Sequence, residues 1–197
     1  MPTTPDAVHF RRAGPADIAA VVDLVEEAFR GHASRAGWTT EADLLDGQRT
    51  DVRQVGALIG DERLLLAEVG AELLGCCQLG PEGPTAAHLG MLSVRPGRQG
   101  AGVGRALVAE AQRAARSWFG ADEIRVLVIA QRIELIRWYE KLGFRLTGAA
   151  APFPYGDTRY GLPRRPDLHF VEMVRRSGPQ PAARPTGQDT PVPPSPQ

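Results

Sequence analysis

The chain is poor in cysteine. Its 197 residues include two cysteines, Cys76 and Cys77, which are adjacent within an apolar run. Neighbouring cysteines do not reach the Cα separation of an ordinary disulfide, and two thiols do not make a metal ligand set. We therefore expect both to be reduced thiols in the core, with no metal site.

Targeting and membrane signals are also lacking. The segment Met1 to Asp6 has no basic region followed by an apolar core, and no apolar run approaches the ~20 residues of a membrane span. The formal net charge is +0, from 23 basic and 23 acidic side chains without blocks of like charge. Neither nucleic acid nor a membrane is expected as a partner, and a cytoplasmic location is predicted.

The composition divides the chain into a domain and a tail. Hydrophobic residues make up 43% of the sequence, which is enough for one core in a chain of this length. We expect a single domain over residues 1–176. Residues 177–197 are rich in proline and small polar residues and show no apolar period, so this tail is predicted to be disordered.

The most informative stretch runs from His88 to Phe119. An apolar run over His88–Val94 precedes a glycine-rich turn, Gly97–Gly104, and then a helical pattern. Glycines let several backbone N–H groups approach one anion, and the helix N-terminus adds unpaired amides and a positive dipole end. The turn therefore predicts a phosphate or pyrophosphate site. The simpler alternative is a tight strand-to-helix turn without a ligand.

The spacing of the turn disfavours two common phosphate loops. A P-loop needs a lysine after its last glycine, a dinucleotide fingerprint needs Gly-x-Gly-x-x-Gly, and neither pattern is present. The run Val94-x-Pro96-x-x-Gln99-Gly100-x-Gly102-Val103-Gly104 instead resembles the acetyl-CoA loop of the GNAT N-acetyltransferases. Downstream, Trp138–Phe144 resembles the Tyr-Glu-Lys-Leu-Gly-Phe run of the same superfamily.

This resemblance covers residues 8–174 and implies an α/β GNAT fold, with a central mixed, mostly antiparallel twisted sheet flanked by helices. It also implies acetyl-CoA as the cofactor, with the pyrophosphate wrapped by backbone amides of the loop. Arg132 stands where many relatives carry an asparagine, so it would serve either CoA binding or substrate recognition. The implied cofactor-binding residues are Leu92, Ser93, Val94, Arg98, Gln99, Gly100, Ala101, Gly102, Val103, Gly104, Arg105 and Arg132.

Three side chains are candidates for the chemistry. An alkylamine with a pKa of about 10.4 is mostly protonated at neutral pH, so a base or a water relay must remove a proton before the amine attacks. Glu41 is the first candidate and His88 the second, although they could instead be a helix-start carboxylate and a polar strand-end residue. By resemblance, Tyr139 would assist the departing thiolate; its alternative is a core aromatic.

The implied function is transfer of the acetyl group of acetyl-CoA to a primary amine of a small molecule, by direct attack in a ternary complex. The alternative is a catalytically inactive CoA-binding sensor or interaction module, and a homodimer is compatible with either. Arginines would suit a carboxylate or phosphate on the acceptor, and aromatic residues an apolar body. The substrate-binding candidates are Arg35, Trp38, Arg49, Tyr155 and Tyr160.

Periodicity and turn residues predict the other elements. Helices are indicated at Gly14-Pro15, Thr40–Asp43, Asp51 and Ile133, and loops at 80–84 and 152–163. Strands are predicted at 8–11, 64–69, 72–79, 123–129, 145–148 and 168–174.

Overall fold

The computed structural model describes residues 7–30, 41, 43–157 and 160–178. The helices within these ranges are α1 Ile18–Phe29, α2 Val52–Gly60, α3 Val103–Phe119 and α4 Ile133–Lys141. The strands are β1 His9–Arg12, β2 Leu45–Asp46, β3 Leu64–Val69, β4 Glu72–Glu82, β5 Ala86–Val94, β6 Glu123–Ile129, β7 Arg145–Pro152, β8 Leu162–Pro163 and β9 His169–Arg176.

Seven of these strands form one sheet, in the order β1-β3-β4-β5-β6-β9-β7. Among its neighbouring strands, β5 and β6 are parallel and the other pairs are antiparallel. The short strands β2 and β8 make a separate antiparallel pair. The predicted mixed, mostly antiparallel sheet flanked by helices is confirmed.

Helices cover both faces of the sheet because its central strands are apolar on both sides. Successive residues of a strand point to opposite faces, so in β3 Leu64 packs with α1 and α2 while Leu65 packs with α3. The adjacent thiols follow the same alternation: Cys76 lies in the core beneath α1, and Cys77 lies in the core beneath α3. Both are free and buried.

Local sequence signals explain several element boundaries. Asp51 caps α2, since its Oδ1 accepts a hydrogen bond of 2.8 Å from the backbone N–H of Gln54. The helix α3 ends at Gly120, whose φ of 68° is the left-handed conformation common at helix C-termini. Gly70 and Ala71 connect β3 to β4, as the hairpin signal predicts.

The sheet opens between its two parallel strands. Pairing between β5 and β6 is limited to Ala86–His88 against Glu123–Arg125, although β6 continues alongside β9 as far as Ile129. Beyond His88 the two strands therefore diverge. The divergence creates a gap in the middle of the sheet without leaving β5 or β6 unpaired on its other edge.

A β-bulge in β5 lies beside this gap. Gly90 is opposite Gln78 and Ser93 is opposite Cys76, so two residues of β5, Met91 and Leu92, face a single residue of β4. Met91 has a φ of 48°, which is rare for a residue with a side chain. A bulge of this kind takes backbone groups out of the ladder and makes them available to a ligand.

Three sequence predictions are wrong in detail. No helix follows Glu41, because residues 43 and 44 form a turn and β2 begins at once; Thr40 and Ala42 lie outside the described residues. The predicted loop at 80–84 is strand as far as Glu82, and the loop predicted from residue 152 contains β8. At β2 and β8 pairing between strands distant in sequence overrides the local signals, and at residues 80–82 pairing with the next strand, β5, does so.

The predicted tail lies almost wholly outside the described residues, which end at 178. In the described part of the chain, no helix is both long enough and apolar enough to cross a bilayer. The same part holds no cluster of three or more His, Cys, Asp or Glu side chains placed to bind a metal ion.

Candidate active site

A cavity of about 470 Å³ lies where β5 and β6 separate. The two strands form its walls with residues 88–92 and 126–129, and α4 adds Leu135 and Tyr139. A volume of this size suits a small-molecule site. The cavity is completed by Phe29, Glu41, Arg49, Arg132, Ala151, Pro152, Pro154, Tyr160 and Phe170.

The glycine loop between β5 and α3 has the geometry of an anion cradle. Gly100 and Gly102 have φ values of 84° and 86°, and a Cβ added to either would meet no protein atom within 4 Å. Open space therefore lies over the loop, next to the first amides of the 17-residue helix α3. Unpaired N–H groups at a helix N-terminus favour phosphate, so the loop fits the CoA pyrophosphate.

The side chains predicted to bind CoA differ in their exposure and in their hydrogen-bond partners. Arg98 is exposed and already paired with Glu72, at 2.5 Å between Nη2 and Oε2. The Gln99 amide donates a 3.1 Å hydrogen bond to the Val94 carbonyl and so ties the loop to the end of β5. Ala101 and Arg105 are exposed. Four of the predicted residues have buried side chains, so they could contact CoA through their backbone. They are Leu92, Ser93, Val94 and Val103.

His88 lies at the point where β5 leaves β6 and faces the cavity. Its ring occupies space that a side chain at Gly90 would take, since a Cβ there would lie 3.1 Å from His88 Nε2. Burial lowers the pKa of His88 below its ordinary value of 6.5, and the charge of Glu82 opposes this shift. The imidazole is therefore neutral at pH 7 and has a lone pair available for a proton.

Tyr139 reaches the cavity from α4 and is 3% exposed. Its ring makes edge-on contacts with Trp138 and Phe144, each with 5.0 Å between ring centroids. Burial raises the pKa of the Tyr139 hydroxyl above its ordinary value. The hydroxyl stays protonated throughout the physiological pH range and can act as a hydrogen-bond donor.

A buried cluster of arginines surrounds Glu41. Its Oε2 is 3.0 Å from Arg30 Nη1 and 4.0 Å from Arg49 Nε, and its Oε1 is 3.3 Å from Arg132 Nη1. Burial would raise the pKa of Glu41, but the three positive charges outweigh it and lower the pKa. Glu41 is therefore a carboxylate held by ion pairs, and we name Arg30, Glu41, Arg49 and Arg132 the arginine cluster.

The predicted acceptor residues do not all meet. Arg49 and Tyr160 line the cavity, and the guanidinium of Arg49 lies 5.1 Å from the centre of the Phe29 ring. Tyr155 does not line it: its hydroxyl donates to the Arg165 carbonyl at 3.0 Å and accepts from the Leu168 N–H at 2.7 Å. These bonds hold the loop after β7. The two other candidates, Arg35 and Trp38, lie outside the described residues.

Sequence reasoning missed two features of the site. Arg30 follows the last residue of α1, where a cation is common for its effect on the helix dipole, so nothing in the sequence marks it as a partner of Glu41. Gly90 belongs to no motif, yet the absence of its side chain accommodates the His88 ring. The roles of Arg30 and Gly90 depend on contacts with Glu41 and His88 that form only when the chain folds.

A mixed sheet that opens between its parallel strands, with a bulge and a glycine loop at the following helix, defines the GNAT class of acetyltransferases. The model of the acetyltransferase (GNAT) family matches residues 19–144. The chain therefore belongs to this family, which uses acetyl-CoA, and the predicted family is confirmed.

Known relatives agree with this assignment. The chain is 33% identical over 175 residues to a mycothiol acetyltransferase of Acidothermus cellulolyticus, a match that covers 81% of this chain and 51% of the relative. The chain thus spans about half the length of that curated relative.

Two solved structures show the same fold. Ard1 from Thermoplasma volcanium has a TM-score of 0.64 at 21% identity, with 87% of this chain and 98% of that one covered. The structure of yncA from Salmonella typhimurium with its cofactor acetyl-CoA has a TM-score of 0.64 at 21% identity, covering 90% and 98%. At this identity the similarity concerns the fold.

Proposed function

We propose that the protein transfers the acetyl group of acetyl-CoA to a primary amine of a small molecule, by direct attack in a ternary complex. The observation that carries this proposal is the cavity of about 470 Å³ between β5 and β6. It brings a neutral imidazole, a protonated phenol and the bulge of β5 to one space. The imidazole can take a proton from an amine, the phenol can donate a hydrogen bond to a thiolate, and the backbone at the bulge can donate one to an oxyanion.

Acetyl-CoA, when bound, supplies an acetyl group activated as a thioester. The glycine loop from Gln99 to Gly104 would hold the pyrophosphate through backbone N–H groups, because its open face lies at the N-terminus of α3. The gap between the diverging strands would give the acetyl end of the cofactor access to the cavity. Arg132 lines the cavity and is paired with Glu41, so we place it in the cavity wall and not at the glycine loop.

Between the two candidate bases, the structure favours His88. The three arginines that lower the pKa of Glu41 make its carboxylate a weak base and hold it in ion pairs. His88 is neutral at pH 7 and lines the cavity. We assign His88 as the base that takes the proton from the amine, directly or through one water, and Glu41 as a positioning residue.

The remaining groups stabilise charge that develops during the reaction. A backbone N–H near the bulge, at Leu92, Ser93 or Val94, would donate to the carbonyl oxygen as it becomes an oxyanion. Tyr139 would donate a hydrogen bond to the sulfur as the thiolate leaves. Full proton transfer is unnecessary, because a thiol with a pKa of about 8.5 is a stronger acid than a phenol.

Direct attack is favoured because the cavity offers no activated thiol for a covalent intermediate. Burial raises the pKa of Cys76 to about 12 and that of Cys77 well above its ordinary value. Both remain protonated, and neither belongs to the cavity wall in the part of the chain described. A thiolate nucleophile would need the opposite environment.

The proposal is tested by following CoA thiol release from acetyl-CoA with a panel of primary amines. Release that depends on an amine, together with the acetylated amine detected by mass spectrometry, would support it. If acetyl-CoA binds but no amine is acetylated, the protein is a CoA-binding module without transfer activity.

Substituting Gly102 with valine should weaken acetyl-CoA binding by about tenfold or more. The valine side chain would occupy the open space over the loop, and the φ of 86° is unfavourable for a β-branched residue. Calorimetric titration with acetyl-CoA measures the effect. Gly148→Val is the matched control, because its φ is 84° and its Cβ also meets nothing within 4 Å, but it lies in β7. Equal affinity in the two variants would disprove the role of the loop.

Substituting Tyr139 with phenylalanine should lower kcat by about tenfold while leaving acetyl-CoA affinity close to that of the wild type. The change keeps the ring contacts with Trp138 and Phe144 and removes the hydroxyl, whose interaction with sulfur strengthens only as the C–S bond breaks. Steady-state kinetics and calorimetry measure the two quantities. A variant with wild-type kcat would return Tyr139 to a purely structural role.

A further inference from the structure

We infer that the amine acceptor carries a carboxylate and that the arginine cluster, with Arg49 as the contacting residue, binds it. This inference rests on the proposed function, because it names the class of acceptor for that same cavity. It follows from the balance of buried charge at one wall of the cavity and from the way in which each guanidinium is already engaged.

The charges in this region do not balance. Three guanidinium groups surround Glu41 within 4.0 Å. A second carboxylate, that of Glu26 on α1, accepts hydrogen bonds of 2.6 Å and 2.8 Å from the backbone N–H groups of Arg49 and Thr50. Three positive charges against two negative ones leave an excess of one. Buried charge without a counterion is costly, so the cluster favours a ligand with one negative charge.

Among the described residues, one further carboxylate, that of Glu134, acts on Arg132. Residues 31–40, which connect α1 to Glu41 in the sequence, contain no acidic residue, and neither do residues 42 or 158–159. Glu134 favours the charged form of Arg132 but is itself exposed, where solvent and salt screen its charge. The excess positive charge is thus a property of the described contacts around Glu41.

Arg49 is the member of the cluster placed to meet a ligand. It lines the cavity, and its side chain is 28% exposed, compared with 9% for Arg30 and 8% for Arg132. Its Nε is 4.0 Å from Glu41, which is beyond hydrogen-bond distance. The aromatic ring of Phe29 fixes its guanidinium from one side. A planar guanidinium held in this way can form a two-point pair with a carboxylate.

Arg30 is more buried than Arg49, and it too has more hydrogen-bond donors than nearby acceptors. Its Nη1 is 3.0 Å from Glu41 and its Nε donates to the Gly47 carbonyl at 3.0 Å. Among the described residues, its buried Nη2 has no hydrogen-bond partner. The two oxygens of Glu41 are therefore too few for the hydrogen-bond donors of both Arg30 and Arg49. A ligand carboxylate beside Arg49 would provide the missing acceptors.

A single negative charge matches the excess better than a phosphate dianion does. The rest of the cavity wall is largely apolar, with Phe29, Leu135 and Phe170 among its side chains. An apolar wall opposes a doubly charged group more strongly than a singly charged one. The acceptor is therefore an amino acid or a related amino carboxylate, with its amine directed to His88.

The test compares amino acids with their own carboxamides as acetyl acceptors for the wild-type protein. Each pair has the same size and differs in the charge, so kcat/KM should be at least about tenfold higher for the carboxylate of a productive pair. A separate comparison measures kcat/KM for phosphoethanolamine, an amine with a phosphate group, and for ethanolamine; this is the phosphate arm of the test. Equal rates within every acid and amide pair would overturn the inference, and so would a preference confined to the phosphate arm.

Variants of Arg49 test whether this residue causes the preference for a carboxylate acceptor. Arg49→Gln should raise KM for the carboxylate acceptor by about tenfold more than it raises KM for the carboxamide, and Arg49→Lys should recover part of the loss. Arg53→Gln is the matched control, because Arg53 is exposed on α2 and does not line this cavity. An unchanged preference in a folded Arg49→Gln protein would exclude Arg49 as the contact.

The two hypotheses fail in different ways. If no amine of either kind is acetylated although acetyl-CoA binds, the proposed function fails, and the inference fails with it. If neutral amines are acetylated as fast as amino carboxylates, transfer is established and the inference alone is wrong. The wild-type comparison gives this answer whether or not a variant folds.

Discussion

Replacing His88 with glutamine should lower kcat/KM for amine acetylation by about 100-fold, the usual contribution of a general base. A base works only when it is deprotonated, so activity is present above its pKa and is lost as the pH falls through it. Because burial lowers the pKa of His88, this loss should occur below pH 6.5 in the wild type. The pH profile of kcat/KM measures it, and the His88→Gln profile should lack this acidic step.

Gly90→Ala tests the same assignment without removing the imidazole. Its Cβ would lie 3.1 Å from His88 Nε2, so the ring must move, and we expect a smaller loss of kcat than in His88→Gln with the acidic step retained. Acetyl-CoA affinity should stay close to wild type in both variants. If His88→Gln keeps the wild-type rate and pH profile, the proton goes to another group.

Substituting Gly75 with alanine should destabilise the protein by roughly 2 kcal/mol or more, which for a chain of this size is a fall in Tm of about 5 °C. A Cβ at Gly75 would lie 2.7 Å from the Ser93 carbonyl oxygen and 2.8 Å from Leu107 Cδ1. The first is a backbone atom beside the bulge of β5, which cannot move without disturbing the site. Thermal unfolding of the purified variant measures the loss.

Gly80→Ala is the control for this prediction. It makes the same change in the same strand, β4, but its Cβ would meet nothing within 4 Å, so Tm should change little or rise slightly. If the Gly75 variant has wild-type stability, β4 and α3 are not packed as tightly as the structure shows. We also expect Gly75→Ala to reduce acetylation more than its stability loss explains, because Ser93 adjoins the bulge.

The arginine cluster connects elements that are distant in sequence. Arg132 precedes α4, whereas Glu41 is 91 residues earlier and Arg30 directly follows α1. Their ion pairs join the two helical layers at the wall of the cavity. Breaking a buried pair leaves an uncompensated charge, so the Glu41 carboxylate stabilises the buried guanidinium groups of Arg30 and Arg132.

Much of the fold follows from local patterns. Alternating and continuous apolar runs located β3, β6 and most of β9, and the start of α2 followed from the capping residue Asp51. Such signals work because strand and helix periodicity and capping involve residues close in the chain. The errors at β2 and β8 occur where a partner strand far along the chain decides the conformation, and the error at the end of β4 occurs where pairing with the next strand, β5, extends the hairpin.

The sequence by itself determined the family, because the glycine loop before α3 and the Tyr139 segment are contiguous motifs defined by residues close together in the chain. The tertiary structure decided the rest of the site. It separated β5 from β6, placed His88 over Gly90, and enclosed Glu41 with arginines from three segments. Those features arise from contacts between residues far apart in the chain, where burial and charge balance set each group's pKa and role.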